Sequence, residues 1–502
     1  MTFQHLLDGA EFLARTGNPD VTSVEYDSRR VKPGSCFVAM RGEGSDGNRF
    51  IDQAVQAGAV AVVSDSSTEQ PREGVAWAVV PHGRRALARI SENFYKRPAE
   101  RIAITGITGT NGKSTTAFLV ESIFNAAARK SALIGTIEYH VAGKVYPAPH
   151  TTPEALELAR LFNEALGQGA TEAVMEVSSH ALAQQRVFGV PFDVAVFTNL
   201  TRDHLDYHRT MEEYFGAKRV LFEGCGTDPP RVAVTNLDDE YGARLAEFSR
   251  KRSSVVLTYG WNRGEFHASK PDITPLGTRF DVVTPNEKLP IFSPLIGRVN
   301  VYNILAAAAA GFARGCSSDV IARGVASLSH VPGRFQRVDC GQPFTVVVDY
   351  AHTDDALRNL TALAREFVSR HGGGARVITL FGCGGDRDRT KRPLMGEAAG
   401  TGSDFVVLTS DNPRSEDPRA IINDALVGVQ KSGVKYTVEV DRRKAIALAI
   451  AEARPGDIVL VAGKGHEKLQ ITREGSLPFD DAEVAREVLQ TAGFECAKQA
   501  IH

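Results

Sequence analysis

Gly106-Ile107-Thr108-Gly109-Thr110-Asn111-Gly112-Lys113-Ser114 follows an apolar run at 101–105 and opens a helical pattern at 113–128. Strand, glycine loop and helix in that order make an anion site. Glycines let backbone N–H groups turn inward, and the helix N-terminus adds positive potential. Lys113 adds a full charge for β- and γ-phosphates, and Ser114 a hydroxyl for Mg²⁺. The strict GxxxxGK[ST] spacing is not met: it needs glycine at 107, and Gly106 lies one position early. The lysine–hydroxyl pair in strand–loop–helix context still favours a phosphate loop over an unliganded turn.

Outward from this loop the chain reads as α/β layers with mostly parallel sheets. Upstream, short strands at 35–40, 59–64 and 76–80 form a separate series that ends near Arg97-Pro98, where proline discourages helix. Downstream of the loop, strands are expected at 173–177, 194–198, 232–235 and 255–259, then irregular antiparallel strands over 265–292 and a helix at 301–313. His330-Val331-Pro332-Gly333-Arg334 has linker composition. A third series follows at 344–349, 377–381, 405–409, 436–440 and 458–461, each strand running into a polar loop where open α/β sheets bind ligands. Three domains are expected: 1–97, a central P-loop ATPase-type unit with a mostly parallel sheet at 98–332, and a Rossmann-like unit at 333–502.

A net charge of −2 with both signs interspersed excludes strong attraction to nucleic acid or anionic lipid. Six scattered cysteines, without a CxxC pair or zinc spacing, fit a reducing cytosol. Met1-Thr2-Phe3-Gln4-His5 lacks the start of a secretory signal, and the alanine-rich run 304–312 is too short to span a bilayer. A cytoplasmic protein with no integral membrane segment is expected.

Further motifs occur in order along the chain. They are Thr151-Thr152-Pro153, Glu176-Val177-Ser178-Ser179-His180, Thr198-Asn199-Leu200-Thr201-Arg202-Asp203-His204-Leu205-Asp206 and Gly297-Arg298-Val299-Asn300-Val301-Tyr302-Asn303. Pro332-Gly333-Arg334 and Asp349-Tyr350-Ala351-His352 follow. With GTNGKS they resemble the Mur ligase family, which includes folylpolyglutamate synthase and cyanophycin synthetase. The resemblance covers essentially the whole chain.

The resemblance implies ATP as substrate, held by Gly109, Thr110, Asn111, Gly112, Lys113, Ser114 and Thr115, with Asn303, Arg334 and Asp349. It implies Lys113, Glu176, His204 and Lys218 as the catalytic set. It further implies Mg²⁺ on Ser114, Glu176, His204 and Lys218, the last as a carbamate. By itself Lys218 reads as a surface lysine on a helix. The muramoyl-peptide contacts implied are Ser28, Thr151, Thr152, Ser178, Gln184 and Arg186, the first in an N-terminal UDP-binding domain marked by Asp27-Ser28-Arg29 and Pro33-Gly34.

Ser410-Asp411-Asn412-Pro413-Arg414 resembles the motif of members that add meso-diaminopimelate. The distal end of that amino acid carries a carboxylate and an ammonium. Arg414 offers a bidentate fork for the carboxylate and repels the lone ammonium of lysine. By the same resemblance Arg387, Asp411, Asn412, Pro413, Gly463 and Glu467 line the pocket. The substrates implied are ATP, UDP-MurNAc-L-Ala-D-Glu and meso-diaminopimelate, joined through an acyl phosphate by a monomeric enzyme. His352 and Asp349 are general-base candidates by position. Lysine addition on the same scaffold and a folylpolyglutamate-synthase-like ligase are the alternatives. Two departures stand out: Gly42-Glu43-Gly44-Ser45-Asp46-Gly47 where the family often has G-H-Q-x-D-G, and Asp354 where it has proline, implying a looser loop.

Overall fold

A computed structural model describes residues 1–496 apart from residues 43, 253, 275 and 371–373. Three large sheets follow one another along the chain, and a two-stranded hairpin, Leu469–Thr472 with Gly475–Pro478, lies beyond the last strand of the third. The first has five strands and is parallel except at the edge, where Ala14–Thr16 runs antiparallel to Ala76–Val79. Its strand Ser35–Ala39 is buried throughout, which explains its unbroken apolar sequence. Ala14–Thr16 and Ser23–Glu25 lack such a run and were not anticipated.

The central sheet has eleven strands, with Ala103–Thr108 parallel to both Glu172–Glu176 and Phe192–Phe197 in its middle. The loop strand thus runs through Gly106 to Thr108, beyond the expected end at 105. A Cβ on Gly106 would lie 2.6 Å from the Phe192 ring, so this glycine serves strand packing, and the loop proper starts at Gly109. That is why the first glycine falls off the usual phosphate-loop spacing. Helices Lys113–Ala126 and Arg298–Ala313 cover one face of the sheet. In the second of these, Ala306 through Ala310 are fully buried, and their small side chains let it pack closely on the sheet. Ala155–Gly167 and Met211–Glu223 cover the other face. The irregular region resolves into an antiparallel meander, Phe266–Thr274, Gly277–Val283 and Lys288–Ser293. A hairpin at the opposite edge, Glu138–Val141 with Lys144–Pro147, was not anticipated.

The third sheet is parallel except for Gln336–Val338 at one edge. Asp354, expected in a loose loop, instead opens the helix Asp354–Arg370 and pairs with Arg358 one turn on. The first turn of a helix tolerates proline as well, so either residue suits the position. Contrary to the expectation of reduced cysteines, Cys340 forms a disulfide with Cys496, a pairing that spacing could not reveal across 156 residues. Cys36, Cys225, Cys316 and Cys383 are buried free thiols. Among the described residues no helix is long and apolar enough to cross a membrane.

Candidate active site

Strand register places the first groups. Glu176 pairs with Ile107, and Phe197 with Thr108, so the ends of both neighbouring strands flank the phosphate loop. Gly109 and Gly112 have φ of 148° and 87°, and any Cβ would strike Thr198 Oγ1 or Asn303 Oδ1. The loop is held from outside: Thr110 N–H donates to Asn199 O at 2.8 Å, and Asn111 N–H to Asn199 Oδ1 at 3.0 Å.

Two lysines converge on this loop. Lys113 Nζ donates to Gly109 O at 3.0 Å and Thr110 O at 2.8 Å, and Lys218 Nζ to the same Gly109 O at 2.8 Å. Lys218 is 1% exposed, against the surface reading. It lies on the helix face that buries Tyr214, Phe215, Leu221 and Phe222, a helical spacing visible in the sequence. Burial first, and then the charge of Lys113, push its pKa well below the ordinary lysine range. Burial likewise lowers Lys113, with Glu176 pulling the other way.

Glu176, 1% exposed, is oriented by Thr136, whose N–H donates to Oε1 at 2.8 Å and whose hydroxyl donates to Oε2 at 3.0 Å. Gly135 leaves room for it: a Cβ there would sit 2.5 Å from Oε1. His204 has φ of 53°, and its N–H donates to Asp203 Oδ1 at 2.9 Å. Burial lowers its pKa, keeping the imidazole neutral, while Asp203 opposes the shift. Among the described residues no three His, Cys, Asp or Glu side chains cluster as a ready metal site. The Glu176 carboxylate and the Ser114 hydroxyl are oxygen donors of the kind Mg²⁺ takes beside phosphate oxygens, and His204 offers an imidazole nitrogen. Lys218 fits only once its cation becomes an anion.

The third sheet closes over this loop. Arg334 Nη2 lies 3.4 Å from Ser114 Oγ, and the guanidinium stacks 4.6 Å over Tyr350. Arg334 Nε is buried without a protein partner, an open donor for an anion. Both Asp349 oxygens accept backbone N–H groups, from Phe335 at 2.6 Å and Ala351 at 2.8 Å, so it shapes the turn that carries Arg334. Asn111 Nδ2 donates to Asp355 Oδ2 at 3.1 Å across the two sheets. Between them lies a cleft of about 590 Å³ lined by Ser114, Thr115, Asn303, Arg334 and Asp349 among others. Of the expected ATP residues, Asn111, Gly112, Ser114, Thr115, Asn303, Arg334 and Asp349 line this cleft, whereas Gly109, Thr110 and Lys113 lie behind its wall in the loop.

Further along the third sheet, Arg414 has φ of 52° and donates through Nη1 to Gly385 O at 2.7 Å. Burial first, then the charge of Arg387, lower its pKa. Glu467 Oε2 accepts from Asn412 Nδ2 at 2.7 Å. Gly463, φ 115°, has no room for a Cβ, which would lie 2.5 Å from Asp411 Oδ2. Pro413 backs Gly385, whose Cβ would meet the Pro413 carbonyl oxygen at 1.9 Å. Arg387 and Arg414 thus share one loop cluster with the carboxylates of Asp411, Glu467 and Asp386.

Three parts of the chain match family models: residues 20–95 the Mur ligase family, catalytic domain; 107–311 the Mur ligase middle domain; and 333–465 the Mur ligase, glutamate ligase domain. The UDP-N-acetylmuramoyl-L-alanyl-D-glutamate--2,6-diaminopimelate ligase of Solibacter usitatus (strain Ellin6076) is 56% identical over 95% of this chain and 94% of its own. The chain belongs to the Mur ligase family. A solved UDP-N-acetylmuramoyl-L-alanyl-D-glutamate--2,6-diaminopimelate ligase is similar to this Mur ligase at 34% identity and a TM-score of 0.68, over 98% of this chain and 99% of that one. The MurF ligase from Thermotoga maritima in complex with ADP shares the fold at 18% identity and a TM-score of 0.63, over 94% of this chain and 97% of that one.

In this Mur ligase the expected muramoyl-peptide residues form two groups. Thr151 Oγ1 lies 3.0 Å from Thr136 Oγ1, and Thr152 Oγ1 donates to Glu176 O at 2.9 Å, so both border the Glu176 site. Ser178 caps the next helix, its Oγ accepting from Ala181 N–H at 3.1 Å. Arg186, expected to contact the muramoyl peptide, is engaged by Gln184 Oε1 at 2.7 Å, Thr152 O at 3.0 Å and Glu154 Oε1 at 3.2 Å. Ser28 is separate, on the first sheet's side, donating to Gln53 Oε1 at 2.9 Å. Glu43 of the departing segment lies outside the described residues. The sequence reading missed Asp203 and Lys391, whose charged atoms lie 3.8 Å apart between the central and third sheets. His352, one of the two base candidates with Asp349, donates from Nδ1 to Tyr350 O at 2.8 Å and places Nε2 4.0 Å from the same Asp203.

Proposed function

We propose that this Mur ligase adds meso-diaminopimelate to UDP-MurNAc-L-Ala-D-Glu at the expense of ATP, in the cytoplasm, as a step of peptidoglycan precursor synthesis. One observation carries the choice of amino acid: Arg387, Arg414 and Glu467 meet at the ends of neighbouring strands, a charge pattern complementary to an amino-acid head and hostile to a lone ammonium. The names of the relatives support the same reading. Lysine addition is disfavoured by the paired arginines.

We assign the units 1–97, 98–332 and 333–502 to the UDP moiety, ATP and the incoming amino acid. Lys113 and the loop N–H groups hold the β- and γ-phosphates, and Arg334 closes over them from the third sheet. The D-glutamyl γ-carboxylate oxygen attacks the γ-phosphorus, the bond to the bridging oxygen breaks, and ADP leaves. The amine nitrogen of diaminopimelate then attacks the acyl carbon. Phosphate departs as the amide forms and the nitrogen gives up a proton. The first step brings two anions together, so fixed positive charge from Lys113 and Arg334 lowers its barrier. Mg²⁺ held by Ser114, Glu176, His204 and carbamylated Lys218 would add further charge neutralisation there. Closure of the third unit excludes water from the acyl phosphate.

The test is incubation with ATP, Mg²⁺ and UDP-MurNAc-L-Ala-D-Glu, adding meso-diaminopimelate, L-lysine or no amino acid, with phosphate release and product mass followed. Product with diaminopimelate alone is expected. Product with lysine alone would overturn the reading of the arginine pair.

A further inference from the structure

Lys464 is completely buried, 0% exposed, in the turn after the strand Ile458–Ala462. It is flanked by Gly463 and Gly465, both with positive φ, at 115° and 53°. A Cβ on Gly465 would lie 2.7 Å from Gly333 O and 2.7 Å from Tyr350 Cβ, so the backbone is locked between two neighbouring loops. That turn aims the lysine inward. Its Nζ donates to Asn412 Oδ1 at 3.0 Å, Glu467 Oε2 at 3.1 Å and Leu469 O at 2.6 Å. An ammonium has three N–H donors, and here each has an acceptor, one of them a carboxylate. A cation sealed from water is tolerated only with such partners, so its neighbours are held as firmly as it is.

The same contacts decide what the neighbours can offer a ligand. Asn412 Oδ1 accepts from both Lys464 and Ile471 N–H, the latter at 2.9 Å, which fixes the amide orientation and turns Nδ2 onto Glu467 Oε2 at 2.7 Å. Glu467 Oε2 therefore has two donors, and among the described residues Oε1 meets only Tyr350 OH, at 3.5 Å. Ile471 in turn accepts the Arg414 N–H at 3.0 Å. A continuous chain of hydrogen bonds, Lys464 to Asn412 to Ile471 to Arg414, ties the cluster's carboxylate to its arginine.

We propose that Lys464 is a specificity-determining positioning residue, which holds Glu467 at a set distance from Arg414 so that the pair reads the ammonium and carboxylate of one amino-acid head together. The inference rests on the reading that this ligase takes meso-diaminopimelate. The head's two charges sit on one carbon, so a reader whose carboxylate swings freely would lose it, whereas binding of ATP and of the UDP-dipeptide would be untouched.

The test uses the full chain and steady-state kinetics with each substrate varied in turn. Lys464→Met is expected to raise KM for meso-diaminopimelate at least about tenfold, with kcat and the KM for ATP and for UDP-MurNAc-L-Ala-D-Glu within about threefold. Because Lys464 acts through Glu467, the same change in a Glu467→Gln background should add less than about twofold. Lys464→Gln, which keeps a donor but not the charge, should fall between wild type and Lys464→Met. Equal rises in all three KM values, or a full effect that persists in the Glu467→Gln background, would overturn the proposal. So would loss of folding in both Lys464 variants, which would make it a residue of the fold. Wild-type protein inactive with diaminopimelate would overturn the functional reading itself, before any variant is compared.

Discussion

Arg414→Ala isolates the arginine fork. Arg414 spends one N–H on Gly385 O and keeps the rest of its five donors for a ligand. Each hydrogen bond from a charged donor contributes about 1.5–3 kcal/mol. Two such bonds to the distal carboxylate, discounted for a half-buried side chain, come to about 2–4 kcal/mol. At 1.4 kcal/mol per decade this predicts a loss of about 30- to 700-fold in kcat/KM for meso-diaminopimelate. Alanine adds no backbone strain that arginine lacks, since both are L residues at φ of 52°. The link to Ile471 runs through the backbone N–H and survives the change. The assay is phosphate release at saturating ATP and UDP-dipeptide, with L-lysine in parallel tubes. Arg414→Lys should recover only part of the loss, because a point charge cannot reproduce the fork. A loss below about threefold, or an equal loss for diaminopimelate and lysine, would refute the reasoning.

Lys218→Ala should abolish ligase activity while leaving the fold intact, and wild-type activity should fall when CO₂ and bicarbonate are stripped from the buffer; activity indifferent to CO₂ would exclude the carbamate. His140 opposes burial with hydrogen bonds to Glu121 at 2.8 Å and Glu138 at 2.9 Å, which raise its pKa to about 9. Its contribution to stability is full below the unfolded value, about 6.5, and is lost as pH rises through about 9. Tm should therefore drop more between pH 7 and 9.5 in wild type than in His140→Gln, and parallel curves would contradict this. Gly106→Val should destabilise the protein by displacing Phe192, by about 2 kcal/mol or more, as read from urea midpoints. An unchanged midpoint would mean the strand relaxes freely.

The three-sheet α/β architecture and the phosphate loop were legible because their signals are local. Apolar runs of strand length, glycines ahead of a lysine–hydroxyl pair and a proline at a boundary all act within a few residues of themselves. The resemblance pointed to Arg414 and Glu467, and the structure brings the two charges within electrostatic reach of each other. The tertiary structure alone decided which charges are buried and what each one faces. Lys464 looks in sequence like any lysine in a glycine turn, yet it is sealed by residues up to 52 positions away. Arg186 reads in sequence only as a charge, yet Gln184, Glu154 and the carbonyl of Thr152 already engage its guanidinium. Asp203 meets Lys391 only because two sheets close on each other. Burial and pairing are properties of contacts between distant segments, and a local pattern carries no record of them.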